Sequence, residues 1–134
     1  CLQQNLFIST AHFVQTVGLK ALEHGDAHLQ NMRAEYDRRR RLLVEGVRSL
    51  GLAVPTTPTG AFYVLADARH LGADSLAVAF DILERAHVAL GPGRDFGEIA
   101  EGFLRFSFAA EYDEIATALE RLREALPSMA AGRR

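Results

Sequence analysis

Between residues 26 and 50 the apolar positions Leu29, Met32, Tyr36, Leu43, Val47 and Leu50 recur at steps of three, four and seven. That is the spacing of one helix face. It predicts a helix from about Asp26 to Leu50, closed by Gly51 at C′ and about 37 Å long at 1.5 Å per residue. Such a length suits a helix that bridges two domains. Ahead of it the pattern predicts a helix from about Thr10 to His24, with Ser9 or Thr10 as N-cap and Gly25 as stop. Its apolar residues Phe13, Val14, Val17, Leu19, Ala21 and Leu22 fall on more than one face. A helix of that kind is covered on most sides, which implies a neighbour beyond this chain.

Further along, the periods shorten. PTTPTG at 55–60 is a loop by its prolines and glycine, and AFYVLAD at 61–67 predicts a strand. A third helix starts between Gly72 and Asp74 and runs to about Ala86, with Asp74 as N-cap and Leu76, Ala79, Phe80 and Leu83 on one face. VAL at 88–90 predicts a short strand, GPGRDFG at 91–97 a loop, and FLRFSFA at 103–109 another strand. A last helix from about Glu111 to Leu126 carries the stripe Ile115, Leu119, Leu122 and Leu126, and Pro127 ends it. The tail SMAAGRR is expected to be flexible. The order α-α-β-α-β-β-α predicts an α/β fold of the α+β type, with a small mixed or antiparallel sheet and helices packed on one face.

One strand carries a charge in its middle. Side chains alternate across a strand, so Leu104, Phe106 and Phe108 share the face that the helices cover. Phe103, Arg105 and Ser107 share the other. Burying a lone guanidinium would cost several kcal/mol, and this placement avoids that cost. The planar fork of arginine matches a carboxylate at two points. Arg105 is therefore a candidate carboxylate anchor, the alternative being a structural salt bridge at a domain edge.

Composition narrows the rest. The chain has 134 residues, 49% apolar and 24% charged, with a formal net charge of −2. Bulk charge argues against nucleic-acid binding. No apolar run approaches the roughly 18–20 residues of a membrane span, and the start has no secretory pattern. A single cysteine, Cys1, forms no internal disulfide and fits a cytoplasmic origin. A chain that starts at Cys in mid-pattern suggests a fragment of something longer. RRRR at 38–41 spreads around the helix rather than forming one stripe, with Glu35 and Glu45 each four residues from an arginine and able to pair, and predicts solvated helix surface with room for one inter-domain pair. His24 and His28 are interrupted by Gly25-Asp26, and His24 suits a helix C-terminus; no metal site is expected. GPGRDFG is too short for a dinucleotide fingerprint.

PTGAFYVLAD, VALGPGRDFG and GFLRFSFA, in this order and spacing, resemble the C-terminal part of the class I/II aminotransferases, pyridoxal-phosphate enzymes of the aspartate-aminotransferase fold. The matching positions are Pro58, Gly60 to Tyr63, Val88-Ala89, Pro92-Gly93, Phe96-Gly97 and Leu104 to Ser107; LQQNLFIST and MRAEYDRRRRLL fit as flanks. The resemblance covers about residues 2–126. It implies that residues 1–25 end a missing large domain, 26–50 form the bridging helix, 51–127 form the small C-terminal domain and 128–134 a flexible tail. It implies that Arg105 grips the substrate's α-carboxylate and that Phe62 lines the same pocket. The GPGRDFG loop shapes the entrance. It further implies transfer of an amino group between an amino acid and a 2-oxo acid, a homodimer, and pyridoxal 5′-phosphate in the intact enzyme. The Schiff-base lysine and the other cofactor contacts of the family lie upstream of the matched segments. Lys20 is the only lysine here and lacks the family's Ser/Thr-x-x-Lys setting. No catalytic or cofactor-binding residue is therefore expected in this chain, and the chain alone is expected to be inactive and free of cofactor. A stand-alone interaction domain, or a related C–S lyase, decarboxylase or synthase, is the alternative.

Overall fold

Helices α1 (His12–His24) and α2 (Asp26–Ser49) follow one another with only Gly25 between them. In this computed structural model, which describes residues 9–131, the chain divides into two units between Glu35 and Tyr36, inside α2. The first unit holds α1 and the start of α2. No residue of α1 is buried, and Phe13, Val17 and Leu22 are exposed. The cover expected around this helix is not supplied within its own unit. The N-cap expected at Ser9 or Thr10 falls on Ala11, which has no side-chain cap to offer. Thr10 instead contributes its carbonyl, which accepts a bond from Gln15 Nε2 at 2.7 Å.

The second unit holds the sheet. Strands β1 (Tyr63–Asp67), β2 (Gly91–Pro92) and β3 (Phe103–Ser107) pair antiparallel in the order β1-β3-β2. Tyr63 faces Ser107, Leu65 faces Arg105 and Asp67 faces Phe103 across the β1–β3 ladder. Val64, Ala66, Leu104 and Phe106, with Phe108 just past β3, turn inward and are buried. They join one core with Val78 and Ile82 of α3 (Ser75–Ala86), Leu119, Leu122 and Leu126 of α4 (Tyr112–Ala131), and Leu43 and Val47 of α2. Each buried phenylalanine here contributes about 2–3 kcal/mol. The helices lie on the inward face, so the outward face of β3 is left for Phe103, Arg105 and Ser107, as the alternation requires.

Several elements differ from the sequence expectation. The second strand is not Val88–Leu90 but Gly91–Pro92, which pairs with Arg105 and Leu104. Proline is tolerated there because β2 is an edge strand. Helix α3 is capped by the Asp74 carboxylate, which accepts from Leu76 N at 2.9 Å and Ala77 N at 3.2 Å. Its buried face, however, is Ser75, Val78, Ala79, Ile82 and Ala86. Leu76, Phe80 and Leu83 are exposed. Both sets have helical spacing, and periodicity alone does not say which meets the sheet. Pro127 does not end the last helix. It sits inside α4, which runs on to Ala131, and Met129 beyond it is buried in the core. The flexible tail expected from residue 128 therefore does not begin there; residues 132–134 lie outside the described part.

The arginine run is also not uniform solvated surface. Arg40 and Arg41 both pair with Asp37, at 2.6 and 2.9 Å, and Arg38 lies 4.0 Å over the Tyr112 ring. Arg39 is buried. Its guanidinium donates to Ala109 O at 3.3 Å, Ala110 O at 2.7 Å and Glu111 Oε2 at 2.6 Å. These bonds tie α2 to the segment that leaves β3. Arg39→Met keeps the stem and removes the donors. It should destabilise the protein by about 2 kcal/mol, read as a lower urea midpoint. A change under about 0.5 kcal/mol would show that the bonds contribute little.

Candidate functional site: a guanidinium between two rings

The site is built on the central strand. Arg105 is half-buried on the outward face of β3, with Leu65 across one ladder and Gly91 across the other. A Cβ placed on Gly91 would lie 3.3 Å from Arg105 Nε, 3.4 Å from its Cβ and 3.6 Å from Nη2. The bare glycine thus lets the arginine lie against the edge strand. The guanidinium carbon is 4.2 Å from the centroid of the Tyr63 ring and 4.5 Å from that of Phe96. Both are within cation–π range. Tyr63 reaches it as a diagonal neighbour on the same sheet face. Phe96 comes from the 3₁₀ turn Gly93–Phe96, which ends at Gly97 with φ +105°. Among the described residues, no carboxylate pairs with Arg105.

Three acids of the same unit have local partners. Asp67 accepts from the Arg69 backbone at 3.0 Å and from its guanidinium, whose Nε lies 2.9 Å away. That side-chain bond holds the Asp67 carboxyl down at about 2, against a partial burial that opposes it. Asp74 caps α3 and pairs with Arg94 at 3.4 Å. Glu101 accepts from Ser75 N at 2.6 Å and Gly102 N at 3.1 Å, and these bonds lower its pKa as well.

Phe62 is partly exposed. Its ring is 4.4 Å from Tyr63 and 6.3 Å from Tyr36, and its carbonyl accepts Phe108 N at 2.9 Å. The two side chains named from the sequence, Arg105 and Phe62, are thus joined through the Tyr63 ring. A Cβ placed on Gly60 meets nothing within 4 Å. The left-handed residue of this turn is Ala61, at φ +55°, a conformation that costs a non-glycine residue about 1–2 kcal/mol. Tyr63 and Phe96 were not singled out as site residues by the sequence. Period-two alternation puts Tyr63 on the arginine's side once the β1–β3 register is known. No spacing rule brings Phe96 there.

Lys20 lies on α1, exposed, and its Nζ donates to Glu23 Oε2 at 2.7 Å. An ion-paired surface lysine does not fit as the attachment point of pyridoxal phosphate, so Lys20 is not assigned to the cofactor. Among the described residues no His, Cys, Asp or Glu cluster could hold a metal ion, and no helix is long and apolar enough to cross a membrane.

The comparisons place the chain in a family. The class I and II aminotransferases match residues 2–122. A (5-formylfuran-3-yl)methyl phosphate transaminase of Methanocaldococcus jannaschii is 40% identical over 126 residues, covering 93% of this chain and 33% of that protein. An aspartate aminotransferase of Pyrococcus abyssi is 37% identical over 117 residues, covering 85% of this chain and 30% of that protein. The crystal structure of an aromatic aminotransferase from Pyrococcus horikoshii superposes with a TM-score of 0.89 at 33% identity, covering 95% of this chain and 34% of that one. The chain belongs to the class I and II aminotransferase family, and it spans about a third of the length of these relatives.

The engagement of Asp67, the diagonal neighbour of Arg105, by Arg69 can be tested by titration. The folded Asp67 value lies below the ordinary 3.8. Its contribution to stability is therefore present above about pH 3.8 and lost as pH falls through about 2. Arg69→Ala should return the Asp67 carboxyl from about 2 toward 3.8, as followed by a carbon-detected NMR titration. A value that stays near 2 would mean that the Arg69 guanidinium is not what holds Asp67 down.

Proposed function

We propose that this chain is the carboxylate-binding portion of a longer pyridoxal-phosphate aminotransferase, and that Arg105 grips the α-carboxylate of its amino-acid and 2-oxo-acid substrates. The observation that carries this is the guanidinium itself: fixed on a central strand, stacked by two rings, and without an acidic partner among the described residues. A carboxylate meeting its free edge receives two parallel N–H bonds. Two-point contact fixes the direction of the substrate's Cα bonds, which lowers the entropic part of the barrier. Phe62 borders the same aromatic group and lines the approach.

Family membership and the transaminase activities named for the relatives support the transferase part. Pyridoxal phosphate, the family's cofactor, supplies the electron sink for chemistry at Cα. Lys20 does not fit as its attachment point, so the proposal assigns that lysine, and the remaining cofactor contacts, to a larger domain outside this chain. A homodimer belongs to the same proposal.

Two measurements test it. In the protein that joins this chain to the lysine-bearing domain, Arg105→Lys replaces a fork by a point charge. It should lower kcat/KM for the amino acid roughly a hundredfold, about 3 kcal/mol; a loss below about threefold, or ~0.65 kcal/mol, would remove Arg105 from the role. The chain alone, incubated with pyridoxal phosphate and reduced with borohydride, should show no stoichiometric adduct by mass. An adduct on Lys20 would overturn the assignment of the cofactor lysine to another domain.

A further inference from the structure

The geometry points to Tyr63 and Phe96 as positioning residues that hold Arg105 in one rotamer and leave only its fork edge free for a carboxylate. This rests on the proposal that Arg105 is the substrate anchor, and it adds what keeps that anchor in place. An arginine side chain is otherwise mobile and carries about 2 kcal/mol of rotamer entropy. Here the usual means of fixing it, a carboxylate partner, is absent among the described residues. Three other contacts replace it. The Tyr63 ring lies 4.2 Å from the guanidinium carbon and the Phe96 ring 4.5 Å. Gly91 passes close beside Nε and Nη2. Rings attract a guanidinium without occupying its N–H donors. A carboxylate in the same place would neutralise the charge and take the donors that the substrate needs.

Each ring is itself held. Tyr63 belongs to β1 and packs on Phe62 at 4.4 Å. Phe96 closes a turn anchored at Gly93, where any side chain would overlap the carbonyls of Ala100 and Phe103. The Arg94 amide in the same turn donates to Ser75 Oγ at 3.2 Å. The GPGRDFG segment therefore does more than shape an entrance: it carries a ring to the arginine.

The test uses the full-length enzyme and two amine donors, the amino-acid substrate and a slow primary amine that lacks the carboxylate. Phe96→Leu and Tyr63→Leu should each lower kcat/KM for the amino acid by about fivefold to tenfold and leave the simple amine unchanged. Phe96→Tyr and Tyr63→Phe, which keep a ring, should restore the amino-acid value. Phe96 is about half exposed, so its variant is expected to fold, and thermal unfolding checks this. Equal losses with both donors would mean a general structural defect and overturn the proposal. No loss with either, while Arg105→Lys still costs about a hundredfold, would also overturn it and leave the anchor assignment standing. No loss from Arg105→Lys would remove the anchor, and the positioning role with it.

Discussion

A positive charge held against aromatic faces, with its donors unspent, is the constraint around which this unit is organised. Guanidinium groups away from bulk water are normally matched by carboxylates, because an unpaired buried charge costs several kcal/mol. Arg105 is only half-buried, so it keeps part of its hydration. The rings of Tyr63 and Phe96 supply attraction from two sides. That combination fixes direction while keeping the fork available. Asp67, the diagonal neighbour of Arg105 across the β1–β3 ladder, is committed to Arg69 instead.

The core makes this arrangement possible. Leu104, Phe106 and Phe108 anchor the inward side of β3 and its exit, and a one-residue slip in register would exchange that apolar set for the arginine. The register is therefore enforced by burial, and the position of Arg105 follows from it. Arg39 ties α2 to Ala109, Ala110 and Glu111, which closes the chain just beyond the same strand. Gly93, where a Cβ would overlap the Ala100 and Phe103 carbonyls, and Gly91, which lies against the Arg105 side chain, both belong to the segment that brings Phe96 in.

Much of this was legible in the sequence, for identifiable reasons. Alternation in FLRFS placed Arg105 opposite the core, and the Asp74 cap and the Gly51 stop of α2 were visible because single residues carry those signals. The helix face of α3 was not, because Leu76, Phe80 and Leu83 have the same spacing as the set that is buried. Pro127 misled because packing of Met129 outweighs the bond that proline removes. Arg39 was hidden in a run of four alike residues, three of which have other surroundings. The ring of Phe96 reaches Arg105 through tertiary structure alone, and local pattern carries no trace of that.

The central claim is that the fork of Arg105 meets a substrate carboxylate. It is tested most directly by a crystal structure of the full-length protein with an unreactive carboxylate analogue of the amino acid. The account predicts both carboxylate oxygens within about 3 Å of Arg105 nitrogens, with the guanidinium still between Tyr63 and Phe96. A carboxylate bound elsewhere, or an acidic side chain already seated on Arg105, would contradict it.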